Sequence, residues 1–337
     1  MDLRQMEYFL AVVDHGGVNR AAAALRVAQP SLSQAVRKLE KDLGTELFHR
    51  VGRGLVLAPA GEALIGPARM ILRETEAAEN AVRSVGQVRG GRVDIATLSD
   101  MSMDPLSVWV ARFRTRFPDV RFHIEERDDA SDVVTLVRSG SCEVGFLASP
   151  PPGEDLISEH LVEQKFVLVC PPGTEAYWPD LVPIESLSQV PFVMGEHGTA
   201  TRDYIEKSLR AHGVEPRIVV EVPQRGAVLP IVLAGGGAAI VPLRIGLDAR
   251  HRGGVVRELV PGLARPLEVV YREGRITPAT TEFLNYSKRS LRAWVRAIAG
   301  HRSEGHSLVE AAAMAALAAD HRIRDRSRVD TEVRPNL

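Results

Sequence analysis

The sequence predicts two folded parts of different class: a mainly α-helical winged helix-turn-helix at the N-terminus and, past one long linker helix, a larger α/β unit, so that the chain is α/β overall. Three observations carry this. Within the first sixty residues an alanine-rich helical run sits between two amphipathic ones, and a basic hairpin pattern follows. Beyond Pro59 an apolar stripe recurs at alternating steps of four and three. From Arg92 onward, short β-branched runs alternate with amphipathic helical stretches. At 337 residues and 45% hydrophobic content, the chain can fill more than one core.

Leu3, Met6, Leu10 and Val13 recur at helical spacing and Gly16-Gly17 supplies a stop, so residues 3 to 15 read as a first helix. Asn19 can cap a second, the alanine-rich run Arg20 to Leu25, whose small side chains let another helix cross closely. After the turn Arg26-Val27-Ala28, a third helix carries Pro30 in its first turn, Leu32, Val36, Leu39 and Leu43 on one face, and Gly44 as its stop. Its other face presents Gln29, Ser31, Ser33, Gln34, Arg37, Lys38 and Lys41. Such types suit base edges near the helix start and phosphates further along. Residues 45 to 50 and 55 to 59 then read as two short strands about a Gly-Arg-Gly turn, a wing with Arg50 and Arg53 near its tip. Alone, the polar helix face would be read as solvated surface. Its place between an alanine-rich helix and a basic hairpin favours nucleic acid.

In the linker, Leu64, Ala68, Ile71, Thr75, Ala78, Val82 and Val85 form the a/d repeat of a coiled-coil seam, which predicts pairing with a second copy. The alternative is that the stripe packs on the chain's own α/β unit, and Pro67 predicts a kink. In the α/β unit, residues 93–98, 120–126, 142–148, 166–170, 191–194, 217–222 and 238–242 read as strands, separated by helical stretches such as Pro105 to Phe117 and Arg202 to His212. That alternation predicts mostly parallel sheets.

Several classes are disfavoured. A net charge of -1 gives no whole-chain sign of nucleic acid, so only local charge can. Cys142 and Cys170 are too few for a disulfide framework, lack zinc-site spacing and fall at strand positions, where they pack as small apolar residues. None of the ten histidines forms an HExxH pair or approaches a cysteine in ligand spacing, so no metal is expected. Gly235-Gly236-Gly237 lacks the Lys-Ser/Thr of a phosphate loop and reads as a turn. Asp2, Arg4 and Glu7 do not fit a signal peptide, and no apolar run reaches membrane-spanning length, which predicts a cytoplasmic protein without a membrane partner. No nucleophile, base or cofactor constellation stands out, so neither an enzyme nor a cofactor is expected.

Residues 2 to about 299 resemble the LysR-type transcriptional regulators. The segment 21 to 50 is close to that family's signature, and residues 118–120, 139–146 and 233–242 fall in order where the family has similar motifs. The resemblance implies a DNA-binding domain over 1–58, a linker and dimerisation helix over 59–89, and an effector domain over 90–300. That effector domain would have two lobes like periplasmic binding proteins, lobe I about 90–163 and 267–300, lobe II about 164–266. It implies double-stranded promoter DNA and a small-molecule effector as partners, RNA polymerase as a further candidate, and assembly as a homodimer and dimer of dimers. Gln29, Pro30, Ser33, Gln34 and Arg37 would sit at the major groove, with Arg50 and Arg53 at the backbone or minor groove. Ala28 and Ala58 replace the Ser and Thr often found there, so each following helix is expected to lack a cap worth roughly 1 kcal/mol. Peroxide-sensing relatives carry a cysteine pair in the second lobe, and no cysteine lies between residues 171 and 337 here.

The implied ligand site is the cleft between lobes, at strand carboxyl ends and helix N-termini. Candidate contacts are Ser99, Asp100, Met101, Ser102, Asp128, Asp129, Ser131, Gly198, Thr199, Thr201, Arg202 and Gln224. For each, a capping or turn role is the alternative, and Asp104 before Pro105 reads as a plain N-cap. Counted back from Pro118, Asp100 and Asp129 fall where carboxylate-sensing members often carry a hydroxyl. Two carboxylates would repel an anionic effector and favour one with amine or hydroxyl groups. Thr199, Thr201, Arg202 and Gln224 could still hold an anion, and a one-residue shift brings in Ser99 or Ser102. Past a closing helix from Pro278 to about Ala299, residues 301–337 extend the chain: Ser307 and Glu310 make a capping-box pattern for one short helix and the charged remainder is expected to be disordered; the extension would add an oligomer contact or have no role, and the second is favoured. The alternatives to a ligand-responsive regulator are a small-molecule-binding protein without a DNA role and a redox-responsive regulator.

Overall fold

A computed structural model describes residues 1–51, 54–83, 90–149, 155–274 and 276–318. It opens with α1 (Leu3–Asp14), α2 (Val18–Leu25) and α3 (Gln29–Leu43), followed by the hairpin β1 (Phe48–Val51) and β2 (Gly54–Leu57) and by α4 (Pro59–Arg83). Asp2 starts α1 through a capping box: the Gln5 N–H donates to its carboxylate at 2.9 Å, and the Asp2 N–H donates to Gln5 Oε1 at 2.8 Å. The second helix starts two residues earlier than Asn19 would cap it, with Gly17 at the N-cap and no side-chain bond there. Ala28 likewise caps α3 without a side-chain bond, as expected, and Gly44 at φ 70° ends it. Phe9, Ala21, Leu32 and Leu39 are fully buried where the three helices meet. The wing is pinned to α3 because Glu40 accepts the N–H groups of Leu47 at 2.9 Å and Phe48 at 3.3 Å.

The linker helix corrects an expectation. Leu64, Ala68, Ile71 and Leu72 of α4 pack against Met6, Phe9, Leu10, Leu39 and Leu47. The first half of the stripe therefore packs on the core of the N-terminal unit rather than on the α/β unit, with Ala68 fully buried and Leu64 and Ile71 half-buried. Helix α4 runs through Pro67, Ala78 is exposed, and Val85 lies outside the described residues. Polar contacts tie the same helix to the α/β unit. Arg73 bonds buried Asp94 at 2.9 Å and the Gly140 carbonyl at 2.6 Å, while Arg69 reaches Asp14 of α1 at 2.7 Å and Glu125 at 2.6 Å.

The α/β unit runs β3 (Gly91–Leu98), α5 (Ser99–Met101), α6 (Ser107–Arg116), β4 (Val120–Arg127), α7 (Ala130–Arg138), β5 (Val144–Leu147) and β6 (Ile157–Cys170). It continues with β7 (Leu181–Pro183), β8 (Pro191–Gly195), α8 (Ala200–Ala211), β9 (Arg217–Val222), α9 (Val228–Leu233) and β10 (Ala239–Pro242). The last elements are α10 (Leu243–His251), β11 (Val255–Val260), β12 (Ala264–Tyr271), α11 (Pro278–Ser303) and α12 over 308–318. An eight-stranded sheet has the order β4-β3-β5-β12-β6-β11-β7 with β10 also on β6, and β8 pairs β9 separately. The sheets are mixed rather than mostly parallel. Strand β6 pairs antiparallel with β12 as far as Lys165, then antiparallel with β10 and β11. These two long strands carry the chain between the lobes, and their crossing near Gln164 and Arg265 forms the cleft floor.

Helix α12 corrects a second expectation. The capping box forms, with the Glu310 N–H donating to Ser307 Oγ at 3.2 Å and the Ser307 N–H to Glu310 Oε2 at 2.9 Å. Leu308, Val309 and Ala312 then join Val167, Val169, Leu229 and Val232 in a lobe II core. The extension is part of the fold up to residue 318.

Candidate DNA-binding face and interlobe cleft

On α3 the apolar residues Leu32, Val36 and Leu39 are buried, which turns Gln29, Pro30, Ser31, Gln34, Arg37 and Lys38 outward on the exposed side. Ser33 is half-buried, and its hydroxyl accepts a bond from the Gln29 amide at 2.9 Å. A helix start rich in amide and hydroxyl groups, with cations one turn later, has the donor and acceptor set that reads base edges and grips phosphates. Arg50 lies on β1, and Arg53 is outside the described residues.

Asp100 holds the centre of the cleft. It is buried, and the Arg265 guanidinium on the floor makes a short bond to it. Arg225 of lobe II reaches Asp100 at 3.2 Å, Thr201 Oγ1 at 2.8 Å and Asp128 at 3.5 Å. Arg265 also donates to Gln164 Oε1 at 3.0 Å and Thr201 Oγ1 at 3.2 Å, and stacks over the Phe166 ring. The Ser99 hydroxyl fixes Asp128 at 3.0 Å, and the Ala200 N–H at the start of α8 donates to the Asp128 carbonyl. Three carboxylate-to-guanidinium contacts thus cross between the lobes, the third being Asp104 with Arg244 of α10 at 3.2 Å. Beneath the Arg225–Asp100 pair, a cavity of ≈ 80 Å³ is walled by apolar side chains that include Met103, Met194, Ile205, Leu229 and Ile245.

Several expected contacts take other roles. Asp129 is exposed and caps α7, accepting the Ser131 N–H at 2.7 Å, and this bonding holds its carboxyl below the usual range. The carboxylate beside Arg225 is its neighbour Asp128. Met101 is fully buried in the lobe I core, and Ser102 is half-buried. Gly198 takes a positive φ of 82° ahead of Thr199, whose hydroxyl bonds the Glu196 carbonyl at 2.9 Å. Arg202 is held by Glu206 at 2.6 Å, by the Gly195 carbonyl at 2.9 Å and by Glu221. Gln224 is exposed, one residue before Arg225. Asp104 is not a plain N-cap: it is buried against Arg244, and burial pushes its carboxyl up to about 7.

Sequence reasoning missed Arg225, Arg265 and Gln164 as cleft residues. Arg225 directly follows Gln224, a candidate contact, and Arg265 interrupts an apolar strand where the chain returns between lobes; for Gln164 no local signal exists. A larger groove of ≈ 950 Å³ between α6 and α11 is lined by Trp109, Val162, Tyr286 and Trp294. Its lining also includes Asp104, Gln164 and Arg244, but neither Asp100 nor Arg225. Cys142 and Cys170 are buried, which raises both thiols, Cys170 up to about 12, and makes them poor nucleophiles. Among the described residues no cluster of three or more His, Cys, Asp or Glu could hold a metal, and no helix is long and apolar enough to cross a membrane.

A packed helix-turn-helix with an outward polar recognition face, joined by a clamped helix to a two-lobed α/β unit with a charged cleft, defines a ligand-responsive DNA-binding regulator. The comparisons agree on which kind. A family model described as the LysR substrate binding domain matches residues 86–292, and one for bacterial regulatory helix-turn-helix proteins of the lysR family matches residues 3–62. The chain belongs to the LysR family of transcriptional regulators. It is 27% identical over 282 residues to the transcriptional regulator YfeR of Shigella flexneri, covering 84% of this chain and 91% of that one. It is 28% identical over 290 residues to the RuBisCO operon transcriptional regulator of Allochromatium vinosum, covering 85% and 95%. Among solved structures, CbnR aligns at a TM-score of 0.63 with 22% identity, covering 86% of this chain and 99% of that one. A full-length OxyR from Pseudomonas aeruginosa aligns at 0.64 with 21% identity, covering 86% and 95%. Both likenesses concern the fold.

Proposed function

We propose that this regulator reads double-stranded promoter DNA through α3 and the wing, binds its effector in the interlobe cleft, and works in the cytoplasm as a homodimer or dimer of dimers, with RNA polymerase a further partner. The exposed polar face of α3 on a buried apolar base carries the DNA reading. CbnR, which shares the fold, is also solved with its target DNA. An effector that enters the cleft must part the contacts between Arg225, Asp100 and Asp128, which changes the angle between lobes. Arg69 and Arg73 fix α4 to lobe I, so a lobe movement is carried to the helix that completes the DNA-binding core. Regulation follows only if the effector prefers one arrangement over the other. Ala78 of the α4 stripe is exposed, which supports a shorter dimer seam than the full heptad pattern.

Genome-wide binding-site mapping with Gln34→Ala and Arg37→Ala tests this reading. Gln34→Ala should lose one base preference, a cost of about 1–3 kcal/mol at that position. Arg37→Ala should weaken all sites alike and lower the slope of log affinity against log salt by about 1. Unchanged site preference and salt slope in both variants would remove α3 from the DNA interface.

A further inference from the structure

The charge arrangement of the cleft restricts what can enter it. Every arginine there is already matched: Arg202 by Glu206 and Glu221, Arg265 by Asp100, and Arg225 by Asp100 and Asp128. An effector carrying only a carboxylate would have to take Arg225 from two carboxylates, and would then face both at close range without a new cation. One carrying only an ammonium would gain Asp128 but meet the Arg225 and Arg265 guanidiniums. A ligand with both charges avoids either conflict, because its ammonium replaces Arg225 at the carboxylates while its carboxylate replaces the carboxylates at Arg225. Net charge around Arg225 is then unchanged, and neither member of the buried Arg225–Asp100 pair is left alone, while Asp128 stands at the exposed rim.

Spacing and shape narrow this further. Arg225 Nη1 and Asp100 Oδ1 face each other at 3.2 Å, so a zwitterion with both charges on one short skeleton can reach both partners after a small parting of the pair. The Thr201 hydroxyl, which already accepts bonds from Arg225 and Arg265, stands beside them and can turn to donate to a carboxylate. Directly below lies the apolar cavity of ≈ 80 Å³, room for a small branched or straight aliphatic group and little more. We propose that the effector is a neutral α-amino acid with a small aliphatic side chain, its ammonium on Asp100 and Asp128, its carboxylate on Arg225 and Thr201, and its side chain between Met103, Met194, Ile205, Leu229 and Ile245. This rests on the reading of the interlobe cleft as the effector site.

Titration calorimetry on the full-length protein tests it with L-valine, L-norvaline and L-leucine against their single-charge counterparts, such as 4-methylpentanoate and 3-methylbutylamine for leucine. At least one amino acid should bind, and its deaminated and decarboxylated counterparts should each bind at least about tenfold more weakly. Asp100→Asn should weaken the amino acid by a similar factor without weakening the carboxylate, and Ile245→Trp, which fills the cavity, should abolish binding. Should Asp100→Asn fail to fold, the ligand series on the unaltered protein decides. Equal binding of 4-methylpentanoate and leucine, or no binding by any of the three amino acids at millimolar concentration, overturns the proposal. Footprinting of Ile245→Trp on promoter DNA separates the two levels. If no amino acid binds but the footprint changes, only the ligand class falls; if an amino acid binds and Ile245→Trp leaves its affinity unchanged, the cleft itself is not the site.

Discussion

Asp104 shows how much one residue's surroundings alter its chemistry. Its sequence context, an Asp before Pro105, suggests a solvated cap, yet lobe closure buries it opposite Arg244. Burial raises its pKa from 3.8 to about 7, with Arg244 pulling it down and Asp100 pushing it up. A carboxyl that holds its proton more tightly folded than unfolded makes stability fall as pH rises from about 4 to about 7, then level off. Replacement by asparagine should remove that slope. The melting temperature of Asp104→Asn should therefore differ less between pH 5 and pH 8 than that of the unaltered protein. A variant that keeps the full difference would assign the titration to another group.

At the scale of elements, the capping boxes were legible in one case and overlooked in the other. Ser307 and Glu310 announced α12, whereas Asp2 and Gln5 start α1 by the same device and went unread. What α12 does was not legible, because its apolar residues Leu308, Val309 and Ala312 join a core whose other buried members lie about 50 to 145 positions earlier. Burial of Leu308 at 4% exposure predicts that Leu308→Ala destabilises lobe II by about 2 kcal/mol in urea unfolding. A change below about 0.5 kcal/mol, the range of neutral surface substitutions, would detach α12 from the cooperative unit. The α4 stripe teaches a related lesson. A heptad pattern states that a face must be covered, and the covering came from α1 and α3 of the same chain for Leu64, Ala68 and Ile71.

For the whole molecule, Arg69 is the side chain that joins all three parts. It sits on the linker helix, bonds Asp14 of the DNA-binding unit and bonds Glu125 of lobe I. Glu125 is held down to about 2, by its hydrogen bond to His123 first and by Arg69 next, so this junction stays charged throughout the neutral range. Arg69→Ala should leave the DNA-binding and α/β cores folded but loosen their attachment. Hydrogen exchange should show faster exchange along α4 past Arg69, with the amides of β3 unchanged. If α4 exchanges at the original rate, Arg73 and Asp94 alone hold the helix to lobe I.

The sequence by itself determined the elements and the DNA-reading face: helical periodicity, small residues at a crossing, glycine stops and the polar side of α3 act within a few residues of one another, so local order suffices to read them. The ligand site was a different matter. The loops that line the cleft could be named from strand ends, but the side chains around Asp100 are Gln164, Thr201, Arg225 and Arg265, spread over a hundred positions: β6 and β12 pair Gln164 with Arg265, and α8 and the turn before α9 bring Thr201 and Arg225 to them. Tertiary structure decided which aspartate faces the cleft, Asp128 rather than Asp129, since one side chain must cap α7 and its neighbour is left to meet Arg225. It also converted an expected repulsive pair of carboxylates into a neutralised network, because the charges that balance Asp100 come from the other lobe and from the floor, and no local pattern in a chain records which distant charge a fold will bring beside it.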